Sequence, residues 1–143
     1  MDRAIDAYGI AAKNLNRTHA SVRALREAHL NARMAFKEVE FILEYNDRQS
    51  VKFYLNGPPL TRIDKSDPGI TVIEPEGLQI LDELAFGDSH YDERDKIVEI
   101  WSRLRIQCNY VLRYQKNISL QHRIVFEGAR TELIRIFTLG LTG

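Results

Sequence analysis

The chain has 143 residues, 44% hydrophobic and 28% charged, with 20 Lys plus Arg balanced by 20 Asp plus Glu. That is the make-up of one soluble domain with its own core. Zero net charge argues against a general nucleic-acid binder, and no apolar run approaches the ~20 residues that cross a bilayer.

The first segment, Asp2 to Asn14, is Ala-rich and helical in pattern. Asn14, Asn16 and Thr18 offer a break and a new N-cap. A long helix is predicted from Thr18 to Tyr45. Its apolar stripe, Val22, Leu25, His29, Ala32, Phe36, Val39 and Leu43, steps by three and four as a bundle seam does. Asn46-Asp47 closes it, and Asp47 is placed to cap a short helix from Arg48 to Leu55. Asn56-Gly57-Pro58-Pro59 is a strong breaker. It opens a long loop to Pro75 that contains all four prolines, with Asp67-Pro68-Gly69 as a turn. Ile70-Thr71-Val72-Ile73 is β-branched and extended in character, but one strand builds no sheet, so it reads as a loop laid across helices. A loop this long in a small domain is often functional.

Glu76 to Phe86 is the next helix. Asp88 or Asp92 then caps a long helix from Glu93 to Lys116, with Ile97, Trp101, Leu104, Cys108 and Val111 as its stripe. Ser119 is an N-cap for a last helix, Leu120 to Leu139, whose apolar positions are Ile124, Val125, Ala129, Leu133, Ile136 and Phe137. Gly140 stops it. Short links favour antiparallel neighbours, so the expected fold is all-α: an up-and-down bundle of four to five main helices with a long Pro-rich loop, in one domain spanning 1–143.

The candidate chemistry is sparse. Cys108 is the only cysteine, which excludes an intrachain disulfide, and no Cys-x-x-Cys-His is present for covalent haem attachment. No zinc-finger spacing, nucleophile elbow, P-loop or dinucleotide fingerprint occurs. His29, on the seam, reads as a packing residue; His19 and His122 lie at helix starts facing solvent; His90 and Glu93 belong to a capping turn. Cys108, between Leu104 and Val111, reads as an inert buried thiol. Glu40 and Glu44 stand one turn apart at the edge of an apolar face beside Glu38. A carboxylate there needs a partner, which Arg33, Arg130 or Arg135 can supply. Gln79 and Asp82, three apart and so on one helix face, are either weak oxygen ligands for a metal or a polar pair fastening the loop to the bundle.

The stretch from Gly77 to Gly87 (Gly77-Leu78-Gln79-Ile80-Leu81-Asp82-Glu83-Leu84-Ala85-Phe86-Gly87) resembles the signature helix of imelysin-like proteins, helical bundles of the bacterial envelope. Their motif is Gly-x-His-x-x-Glu followed by an apolar stretch ending in Phe-Gly. Gly77 keeps the glycine, Gln79 stands in the histidine place and Asp82 in the glutamate place. Asn31 to Phe41 is similar to the family's earlier Ala-Arg…Glu-x-Phe helix, with Glu40 at its Glu position. A likeness over almost the whole chain is carried by Phe36 to Tyr45, Leu55 to Leu60, Val72 to Gln79 and Arg135 to Gly143. It resembles the helical region preceding the di-haem part of cytochrome c peroxidase-like proteins, largely of Bacteroidetes-type bacteria.

That resemblance implies a separated accessory domain of the periplasm or cell envelope, although Met1 opens no signal peptide. Its implied partners are the di-haem domains of the same chain, or a second copy by self-association. Haem c is expected only in a C-terminal continuation beyond Leu139-Gly140-Leu141-Thr142-Gly143, with no cofactor, metal or catalytic residue in this segment. The alternative it implies is an iron-binding module using Asp82, Glu40, Glu44 and Gln79. A peptidase, the family's older label, finds neither a zincin helix nor a nucleophile with a base.

Overall fold

The computed structural model describes residues 1–58, 60–64, 71–87, 91–115 and 121–140. The described residues form an all-α helical bundle: α1 (Asp2–Lys13), α2 (His19–Ser50), α3 (Leu78–Phe86), α4 (Arg94–Gln115) and α5 (His122–Arg135), with π-helical turns at Val51–Leu55 and Ile136–Gly140. Two three-residue strands, β1 (Arg62–Asp64) and β2 (Thr71–Ile73), pair antiparallel with Ile63 opposite Val72. This corrects the reading of 70–73 as a loop laid across helices. The partner strand is only Arg62-Ile63-Asp64, too short to carry an apolar alternation of its own. The Asp67-Pro68-Gly69 turn lies outside the described residues.

The α1–α2 corner is built by the expected polar residues. Thr18 Oγ1 accepts from the Ser21 amide, Asn16 Oδ1 accepts from the Thr18 amide at 2.9 Å, and the Ser21 hydroxyl donates back to the Asn16 carbonyl at 2.7 Å. At the far end of α2, Asp47 leaves helical geometry (φ −148, ψ 70). Its carboxylate accepts from the Ser50 amide at 3.1 Å, capping the turn that follows. So the helix is interrupted where Asn46-Asp47 predicts it.

The core lies between α1, α2, α3 and α4. Ile5, Tyr8 and Ala12 of α1 meet Leu25, Ala32 and Phe36 of α2, with Leu81 and Ala85 of α3 and Ile97, Leu104 and Val111 of α4; all are essentially inaccessible. Gly9 admits the indole of Trp101: a Cβ at that glycine would stand 2.1 Å from the ring. Trp101 Nε1 then donates to the Ile5 carbonyl at 2.8 Å. Arg105 of α4 adds ion pairs to Asp2 and to Asp6 of α1.

Two element starts differ from expectation. Helix α3 begins at Leu78 rather than Glu76 because Gly77 holds φ +97, a left-handed conformation that no helix contains. Helix α5 begins at His122, with Gln121 at the N-cap position; Ser119 lies outside the described residues, as do Asp88 and His90. The larger correction concerns the faces of α5. Its expected apolar stripe is not core. Gly128 is its one buried residue, against Phe41 and Tyr45 of α2. Val125, Leu133, Ile136 and Phe137 stand 38%, 57%, 49% and 60% exposed. The periodicity of α5 is real, but no described element covers that side.

Candidate functional site

The residues singled out in sequence fall into two separate clusters, about three turns apart along the buried face of α2. In the first, His29 of α2 is fully buried and its Nε2 lies 2.8 Å from Oδ1 of Asp82 on α3. With neutral imidazole, Nε2–H donates to the carboxylate and Nδ1 is left as acceptor. Burial pushes the His29 pKa below its ordinary value; Asp82 opposes this and Arg33 adds to it. The Tyr8 ring meets the imidazole edge-on at 5.5 Å and the Phe86 ring at 6.1 Å. Burial, then the Asp82 charge, pushes the Tyr8 phenol well above its usual range. From α2, Arg26 donates through Nε to the Ala85 carbonyl at the end of α3 (3.0 Å) and lies over Phe86.

An Asp–His pair can orient a base. Here the acceptor nitrogen Nδ1 and the Tyr8 hydroxyl are sealed in the core, with no hydrogen-bond partner among the described residues. The half-exposed Asp82 side chain is the pair's route to solvent. A substrate therefore reaches Asp82 but neither Nδ1 nor the Tyr8 hydroxyl, and proton transfer at Nδ1 has nothing to act on. The arrangement fixes α3 on α2.

The second cluster surrounds Glu40, 3% exposed. Lys37 Nζ lies 2.5 Å from its Oε2, and an Arg135 nitrogen, from the end of α5, lies 3.7 Å from the same oxygen. Glu132 holds the Arg135 guanidinium at 2.5 Å. Its hydrogen bonds raise the Arg135 pKa and draw the Glu132 carboxyl below the usual range. On one side of the Glu40–Arg135 pair, an open cleft of about 580 Å³ lies between α2 and α5, lined by Lys37, Phe41, Ala129, Leu133 and Ile136. On the other, a cleft of about 280 Å³ is lined by Glu40, Glu44, Lys52, Asn56, Gln79 and Arg135.

Glu40, Glu44 and Gln79 thus share a cleft, while Asp82 and Arg33 do not join it. Gln79 Nε2 donates to the Asn56 carbonyl at 3.0 Å, where the chain leaves the π-helical turn. Asp82, three residues on, turns instead toward His29. The grouping of Arg33 with Glu40 is corrected: seven positions along α2 separate them by about two turns, whereas Lys37 is one turn away. Arg33 lies with Leu30, Met34, Lys37, Glu38 and Asp82 in a separate open groove of about 730 Å³. Arg130 pairs with Glu127. Glu93 pairs with Lys96 at 3.8 Å, and His19 and His122 are exposed.

Sequence reasoning missed the His29–Asp82 bond and the role of Lys37. The first had a usable signal: an imidazole on an otherwise apolar seam needs a polar partner, and Asp82 is an acid on a short apolar helix. Among the described residues no three His, Cys, Asp or Glu side chains converge as a metal site. Cys108 is buried, its thiol pushed up to about 12 by desolvation. No described helix is long and apolar enough to cross a membrane. Comparison with protein-family models, curated proteins and solved structures finds no match.

Proposed function

We propose that this chain is a non-catalytic helical interaction domain, an accessory unit of a bacterial di-haem cytochrome c peroxidase-like protein of the cell envelope. The observation that carries the interaction reading is the outer side of α5. Phe126, Leu133 and Ile134 stand 75%, 57% and 54% exposed on a helix whose buried residue is a glycine, and Phe137, in the π-helical turn after it, is 60% exposed. A patch of this kind marks a surface that meets something apolar. The polar groups support the same reading, because Glu40, Arg135, Glu132, His29 and Asp82 are committed to one another. The peroxidase partner rests on the resemblance carried by the stretches Phe36 to Tyr45, Leu55 to Leu60, Val72 to Gln79 and Arg135 to Gly143.

Sedimentation of the protein with a purified di-haem peroxidase unit tests this. A complex is expected that Leu133→Glu weakens at least tenfold (about 1.4 kcal/mol). The isolated chain should turn over no peroxide. Equal sedimentation of mixture and components would sink the peroxidase part of the reading.

A second reading, an imelysin-like iron-binding module, draws on one observation. Asn56 Oδ1 is a buried oxygen without a hydrogen-bond partner among the described residues, in the cleft that also holds Glu40, Glu44 and Gln79. Against it, a metal must compete with Lys37 and Arg135 for Glu40. Titration with Fe²⁺ or Ca²⁺ by calorimetry separates the two readings: stoichiometric heat favours the metal module, and a flat trace the interaction domain.

A further inference from the structure

We infer that two copies of this chain pair through α2, in parallel about a two-fold axis, with the apolar side of α5 flanking the seam; this rests on the interaction reading and names a second copy as occupant. Leu30 and Met34, 50% and 67% exposed, line the α2 groove, and Leu133 and Ile136 line the neighbouring cleft; the two meet at Lys37. Leu30, Met34 and Lys37 step by four and three, the spacing of a two-helix seam, which ends where α5 covers Phe41. Lys37 is folded back onto Glu40, which leaves its stem on the seam.

The charges beside that seam choose the occupant. Arg33 and Glu38 flank it on opposite edges, and neither has an ion pair or hydrogen bond among the described residues. In a parallel helix pair, residues five apart on opposite flanks meet across the seam. Arg33 of each copy therefore faces Glu38 of the other, forming two reciprocal ion pairs, which is the self-complementarity that a two-fold interface requires. A net charge of zero sets no long-range repulsion between copies.

The apolar area beside the seam is small: at their fractional exposures Leu30, Met34, Leu133 and Ile136 present roughly 450 Å², taking about 200 Å² for a large apolar side chain. That is below the roughly 800 Å² per partner of a standard interface and suits a weak, concentration-dependent dimer.

Charge reversal with sedimentation equilibrium tests the pairing at half-buried Arg33 and exposed Glu38. The wild-type chain should dimerise across roughly 1–200 µM, a range suited to an interface of this size. Arg33→Glu and Glu38→Arg should each weaken the dimer about tenfold, and the double reversal should restore it. Met34→Glu should abolish it with unchanged helical circular dichroism. A wild-type monomer throughout that range overturns the inference, as does a dimer indifferent to either reversal or one that the double variant fails to restore. A monomer that binds the di-haem unit overturns the second copy and leaves the interaction reading standing. A charge-sensitive dimer that ignores the di-haem unit does the reverse to the peroxidase partner.

Discussion

The ionisation of His29 is bound to the fold in the range near neutral pH. Its folded pKa is lowered chiefly by burial, so the unfolded chain, near 6.5, takes up the proton more readily. Stability is therefore complete above about pH 7 and falls as pH drops through the unfolded value toward the folded one, with a slope of at most about 1.4 kcal/mol per pH unit from this group. Urea midpoints between pH 8 and 5 should show that loss, and NMR titration should find one histidine, absent in His29→Gln, with a pKa below the ordinary range. Asp82→Asn removes the carboxylate that holds this pKa up, so the same resonance should titrate lower still. A His29 that titrates above 6.5 would mean that Asp82 outweighs burial. Glu40 makes a different case. Its partner Lys37 is half-exposed and Arg135 keeps Glu132, so Glu40→Gln leaves no stranded cation. It should cost only about 1–2 kcal/mol, read as a shift in the urea midpoint.

At the scale of elements, the join between the π-helical turn and α3 shows what the chain makes legible. Pro75-Glu76-Gly77 announces a backbone requirement, and the structure supplies its reason twice over. Gly77 has φ +97, and a Cβ there would stand 2.8 Å from the Leu55 carbonyl oxygen and 2.9 Å from the Gly57 nitrogen. Gly57 is matched to it, since its own Cβ would meet the Glu76 and Phe53 carbonyl oxygens at 2.7 and 2.8 Å. Gly77→Ala should thus cost at least about 2–3 kcal/mol, from strain plus a backbone contact that no side-chain motion relieves. Gln79→Ala, losing one hydrogen bond to the Asn56 carbonyl, should cost about 1 kcal/mol. Thermal denaturation of both variants checks the ranking; equal costs would show that the glycine pair is not what holds this join. Gln79 and Asp82 were readable as polar residues on one helix, but their partners were not. Asn56 and His29 belong to two other segments of the chain, and spacing along one helix carries no record of its neighbours. For the same reason β1 was invisible while β2 was plain, because pairing belongs to two segments and β1 has too few residues to declare its half.

Across the whole molecule, periodicity identified every helix of the bundle and the seam of α2, because helix identity is written locally in the 3.6-residue repeat. It does not separate core from surface on α5, whose apolar stripe no described element covers. That difference has a dynamic consequence. Helices α1 to α4 close around a shared core, whereas among the helices α5 rests on α2, through Gly128 and the Glu40–Arg135 contact. Opening α5 thus exposes little new apolar surface, and its local unfolding free energy should lie below that of the bundle. Native-state hydrogen exchange should find amides of 126–134 exchanging at least about tenfold faster than those of 97–108 at low protein concentration. If a second copy covers the apolar side, protection of α5 should rise with concentration by mass action, while that of α4 stays fixed. The Arg33→Glu variant should lose that dependence and keep the fast baseline. Slow exchange in α5 at every concentration would mean that its contact with α2 alone is enough to hold it, and that the exposed stripe is not what limits its stability.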